Sequence, residues 1–221
     1  MGYDENVTRH SPGIYTFTIP SNRPRHFQTV RTLSGYRSNN VTGRMPRVWL
    51  VKEVNSEAKQ ELGELDEEEF LVLKDVWLQE TALTEKEIQN TIFRDIEAFW
   101  DVDDAMMPDK EIGLEDIKAQ HKELVTSGEY KKYFLGIDED WVGQTTKPCF
   151  DPKARKIGLF TEGEPSPPDC ARVFAPRRQY RIIFKAVCRT VGDLKYLGEV
   201  MDVLGQTLIR KSFVLVSPPI F

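Results

Sequence analysis

Strand-like apolar runs alternate along this chain with stretches of helical period. One of the first kind is FLVLKDVWLQE, Phe70 to Glu80, with a lysine in its middle. Alternation puts Phe70, Val72, Lys74 and Val76 on one side and Leu71, Leu73, Asp75 and Trp77 on the other, so an ammonium shares a face with aliphatic side chains. Buried and unpaired, that charge is strongly destabilising, and the site must then offer a carboxylate or an anionic ligand. On an edge strand the lysine reaches water along its own stem instead.

The run TALTEKEIQNTIFRDIEAFW predicts a helix from Thr84 to Trp100. Thr84 is its cap, Glu87 holds the third helical position of a capping box, and Ile88, Ile92, Ile96 and Phe99 form one apolar stripe expected to pack on a sheet. Glu87 borders that stripe and has two readings, a cap for its own helix end or a carboxylate reaching inward. Further strands are predicted at Val48–Val54 and in RRQYRIIFKAVC, Arg177 to Cys188. Asp193 then caps a helix whose stripe includes Leu197, Val200, Met201 and Leu204 and which ends near Ile209.

Elsewhere the periodicity fades. Pro12, Pro20 and Pro24 punctuate a polar start, and residues 1–30 read as a flexible arm in which GIYTFTIP makes at most one short strand. The acidic SEAKQELGELDEEE reads as a solvated connector. Residues 101–176 read as a long insertion containing one amphipathic helix, and 210–221 as a tail whose β-like run is broken by Pro218 and Pro219. The fold class that results is α+β, a small antiparallel sheet flanked by the Thr84–Trp100 helix with the insertion packed outside.

Composition narrows the function more than the fold. The net charge of -5 weighs against nucleic acid and anionic membranes as partners. Cys149, Cys170 and Cys188 have no CxxC spacing, and His10, His26 and His121 are scattered, so no zinc or disulfide framework can be read. Without an N-terminal signal or a membrane-length apolar run the expectation is an intracellular protein, which leaves the sequons at Asn6 and Asn40 as chance matches.

A glycine-containing turn, a strand, a strand with an inward lysine, a helix with an early glutamate, then another strand and helix follow the order of a protein-kinase small lobe. The segments FLVLKDVW…TEKEIQNTIF and RQYRIIFKAVCRTVGDL…LGEVMDVLGQTLI resemble the fungal-type protein kinase family of mushroom-forming fungi, over Gly43 to about Ile209. The resemblance implies a kinase-like lobe at 31–209 and, for the family, ATP- and Mg2+-dependent phosphoryl transfer to protein Ser, Thr or Tyr. It implies that Lys74 holds the ATP phosphates and that Glu87 pairs with it, or Glu85 if the alignment shifts by two residues. Gly43 matches a glycine of the nucleotide loop, Val48 the valine against adenine, and Phe184, Ala186 and Val187 the hinge that reads adenine through its backbone.

The sequence departs from the family in three places. Met45 and Pro46 stand where small loop residues are expected, and Ala186 stands where glutamate is usual. The catalytic-loop aspartate and the metal-binding Asp-Phe-Gly do not follow Ile209. The expectation is therefore a truncated kinase domain without turnover of its own, completed by a large lobe or another protein partner. The alternatives are a non-catalytic scaffold and an unrelated α+β protein that matches by chance, the last of which a Lys74–Glu87 hydrogen bond would exclude. Asp101, Asp103 and Asp104 read as a solvated acidic loop.

Overall fold

The computed structural model describes residues 4–35, 45–58, 69–101, 114–146, 176–188 and 191–215. Gly43, Asp103, Asp104, Cys149, Cys170 and most of the acidic connector lie outside them. The strands are β1 (Val7–Ser11), β2 (Ile14–Ile19), β3 (Arg25–Gly35), β4 (Arg47–Val54), β5 (Phe70–Gln79), β6 (Ile137–Thr145) and β7 (Arg177–Phe184). The helices are α1 (Glu85–Asp101), α2 (Leu114–Thr126) and α3 (Leu197–Leu215), with short 3-10 turns at Glu129–Tyr133 and Val191–Asp193.

All seven strands join one antiparallel sheet in the order β1-β2-β3-β4-β5-β7-β6. The mixed α and β content matches the sequence reading, but the sheet is larger than expected at both ends. Residues 4–30, expected to belong to a flexible arm, instead carry strands, and the prolines mark turns between them. Pro12 and Gly13 connect β1 to β2, with Gly13 at φ 85°, a left-handed conformation open to glycine without steric cost. Pro20 and Pro24 bracket the turn into β3.

The stretch 101–176 is likewise not packed wholly outside. Its Ile137–Thr145 segment is β6, hydrogen-bonded along β7 at the sheet edge.

Strand alternation sorts the core into two faces. Phe17, Ile19, Phe27, Trp49, Val51, Leu73 and Ile183 cluster on one, and Val72, Val76, Leu78, Tyr180, Ile182 and Phe184 on the other. Arg25 at the start of β3 reaches Asp138 at 2.7 Å and Glu139 at 3.0 Å on β6, although three strands lie between them. At about 4.8 Å per strand a flat sheet would hold these ends too far apart, so twist brings them together.

The stripe of α1 packs differently from the expectation. Ile96 is fully buried and Ile92 partly so, but they meet Val125 of α2, Tyr130 and Phe134 and form a separate small core beside the sheet. Among the described residues, polar contacts join the first turn of α1 to the sheet. Helix α3 begins at Leu197, where Glu199 accepts the N–H groups of Lys195 and Tyr196, each at 3.2 Å; Asp193 lies in the preceding 3-10 turn. It runs on to Leu215, so the expected β-like run is helical that far, and 216–221 lie outside the described residues.

Candidate functional site

Lys74 lies on the face of β5 that carries Val72 and Val76. Register places it directly opposite Val48 of β4 and Ile182 of β7, with Val72 and Phe184 in the adjoining row. Its Nζ pairs with the Glu85 carboxylate at the first residue of α1. The pair retains solvent access, with side-chain exposures of 29% and 37%, so it adds little stability by itself. Its significance is geometric, because it fixes the head of a lysine that stands among apolar neighbours.

The partner is thus Glu85, not Glu87. Glu87 completes the capping box: its Oε2 accepts the Thr84 N–H at 2.7 Å while its own N–H donates to Thr84 Oγ1 at 3.1 Å. The Thr84 N–H, and then the Thr84 hydroxyl, hold the Glu87 carboxyl below the usual carboxylate range. Arg178 Nη2 stands 4.0 Å away and donates to the Ala82 carbonyl at 2.6 Å, which secures the loop before the helix. A carboxylate committed to its own helix end is poorly placed to hold Lys74 as well.

Around this pair lie residues that sequence reasoning did not single out. Lys86 Nζ is 2.7 Å from Asp140 Oδ1 on β6. Tyr180, without exposed surface, has its hydroxyl 3.4 Å from both the Lys86 amide nitrogen and Asp140 Oδ2. Burial, and then the Asp140 charge, push this phenol's pKa up, so it stays protonated at neutral pH and able to donate. Gln89 Nε2 donates to the Leu135 carbonyl at 2.9 Å. The β7 alternation made the facing of Tyr180 legible, whereas the acidic DEDW of β6 gave no strand signal.

The other expected binding residues fall in three places. Val48 and Phe184 share the Lys74 face, Phe184 buried and Val48 partly so. Ala186 and Val187 follow the end of β7 and are exposed. Gly43 lies outside the described residues. Met45, just before β4, has φ 41°, in the left-handed region that glycine occupies more readily.

A cavity of about 510 Å³ opens on the opposite face, lined by Tyr15, Phe17, Trp49, Arg47, Asp4 and Thr32 among others. It is not the Lys74 site. Among the described residues no group of three or more acidic, histidine or cysteine side chains could hold a metal ion, and no helix is long and apolar enough to cross a membrane. Lys74 and its apolar neighbours offer no carboxylate cluster for a magnesium ion. Comparison with protein-family models, with curated proteins and with solved structures finds no match to this chain.

Proposed function

We propose that this chain is a nucleotide-binding lobe like that of the fungal-type protein kinases, with Lys74 holding phosphate and Glu85 fixing the lysine. The carrying observation is the Lys74–Glu85 pair, set on one sheet face with Val48, Val72 and Phe184. In protein kinases a strand lysine pairs with a helix glutamate in the same way, and both must be in place before phosphoryl transfer. An apolar wall beside a fixed cation suits a purine with a polyphosphate tail. The role proposed for these residues is to bind and orient it, not to catalyse transfer.

Thermal unfolding with and without Mg-ATP tests this reading. A ligand at roughly 100 times its Kd stabilises the folded state by about 2.7 kcal/mol, so the melting temperature of the wild-type chain should rise. Lys74→Met should abolish the rise and Glu85→Gln should reduce it. No shift in the wild type at millimolar nucleotide would overturn the reading.

A second reading, an interaction module that retains the lobe as a scaffold, is favoured by α3. Leu197, Met201, Leu204 and Leu208 recur along one side of that helix at 76%, 60%, 48% and 67% exposure. An exposed apolar stripe of this kind suits a protein partner. Under this reading nucleotide leaves the melting temperature unchanged, and Met201→Ser with Leu204→Ser removes an association detectable by sedimentation.

A further inference from the structure

Glu85 and Lys86, adjacent and oppositely charged at the start of α1, meet two oppositely charged residues in a single row of the sheet. Register sets Lys74, Ile182 and Asp140 directly opposite one another across β5, β7 and β6. Lys74 and Asp140 therefore occupy the same face, about 10 Å apart at the usual strand spacing. Glu85 takes Lys74, while Lys86 takes Asp140 at 2.7 Å. The dipeptide straddles β7.

Consecutive helical side chains diverge by about 100°, which suits two neighbours reaching strands on either side of a third. Arg178 on the Ala82 carbonyl holds the loop before α1, and the apolar stripe holds the helix beyond its first turn. A second pair of reversed polarity sets the first turn between them, since sliding the helix by one residue would press Lys86 against Lys74. Tyr180, in the next row of the same face, adds a neutral contact under this turn, with its hydroxyl 3.4 Å from the Lys86 nitrogen and from Asp140. Lys86 is 45% exposed and Asp140 17%, so the pair contributes little to stability. Its effect is on where the first turn of the helix sits.

We infer that Asp140 is a positioning residue for the Lys74–Glu85 pair: through Lys86 it latches the first turn of α1 and keeps Glu85 on the lysine. The pair's use in holding nucleotide rests on the function proposed above, but the linkage between the two ion pairs does not. In the ligand-free chain the latch keeps the lysine and glutamate assembled, and losing the Asp140 charge releases them.

The test uses the full chain without nucleotide, so its outcome is separable from whether ATP binds. Limiting acetic anhydride labels lysines, and mass spectrometry reads Lys74 acetylation relative to exposed Lys211. Glu85→Gln sets the value for an unpaired Lys74. Asp140→Asn and Lys86→Met should each raise Lys74 labelling several-fold towards that value, while the charge swap Lys86→Asp with Asp140→Lys should restore the wild-type level. Lys86 is a surface residue, so Lys86→Met remains informative if Asp140→Asn fails to fold. Unchanged Lys74 labelling in folded Lys86→Met overturns the inference. So does a charge swap that labels as strongly as the single variants, because the effect would then come from a loosened sheet and not from the latch.

Discussion

Arg181 and Asp4 are 177 positions apart in the chain and form a direct ion pair. Arg181 has no exposed surface, lies between the rings of Phe17 at 5.2 Å and Trp141 at 5.0 Å, and has its Nε 3.4 Å from Asp75. The same Asp4 oxygen accepts Gln179 Nε2 at 2.9 Å. The first described residue thereby closes over β7.

Breaking a buried pair from one side leaves an uncompensated charge, at a cost of about 3–5 kcal/mol. Asp4→Ala should lower the unfolding free energy by about 3 kcal/mol in urea denaturation. A loss well below 1 kcal/mol would mean that Asp75 alone satisfies the guanidinium.

The capping box gives a prediction in both sequence and pH. Thr84→Ala should cost about 1 kcal/mol. Glu87 has a lowered folded pKa, caused first by the Thr84 backbone N–H and then by its hydroxyl. Its contribution is therefore present above the unfolded carboxylate pKa and is lost as pH falls through the lowered folded value. Glu87→Gln should remove that part of the acid sensitivity, which denaturation curves at neutral and acidic pH would compare.

Tyr130 supplies a second carboxylate lever, in the small helical core. It is fully buried and donates its hydroxyl to Glu97 Oε1 at 2.8 Å, and Lys131 Nζ lies 3.0 Å from the same oxygen. Both hydrogen bonds lower the Glu97 pKa, the tyrosine's being the larger cause. Tyr130→Phe should cost about 1 kcal/mol and move the Glu97 carboxyl titration upward in an NMR pH series. The pair's stabilisation falls away as pH drops through the lowered Glu97 value, and this decline should be weaker in the variant.

Gly143 on β6 has no room for a side chain. A Cβ there would stand 2.7 Å from Trp141 Cζ3 and 3.2 Å from Gln179 Cβ. Gly143→Ala should therefore push the indole off Arg181 and destabilise the sheet by roughly 1–3 kcal/mol. A change in near-ultraviolet circular dichroism at the tryptophan bands would report the displacement, and an unchanged spectrum would argue that the ring has space to move.

Legibility in the sequence followed burial. Strands β5 and β7 stood out as apolar runs because both their faces are buried, and the α1 cap announced itself through Thr84 and Glu87. Strand β6 was illegible because its acidic residues serve distant cations: Asp138 and Glu139 take Arg25, and Asp140 takes Lys86. Strands β1 to β3 were hidden by prolines that mark turns. At the site, Lys74 stood out as a charge in an apolar row. Choosing between Glu85 and Glu87 required knowing which carboxylate the helix end consumes, a three-dimensional fact that spacing alone did not decide.

Lys74 and Asp75 are neighbours on β5, yet the first answers Glu85 on one face and the second answers Arg47 and Arg181 on the other. A strand that paired one residue out of step would reverse every side chain. Lysine would then confront two arginines, and aspartate would confront glutamate. The misaligned sheet would thus be repelled by its own charges on both surfaces at once, giving the folding chain an electrostatic check on alignment that hydrophobic side chains, similar on either face, would enforce only weakly.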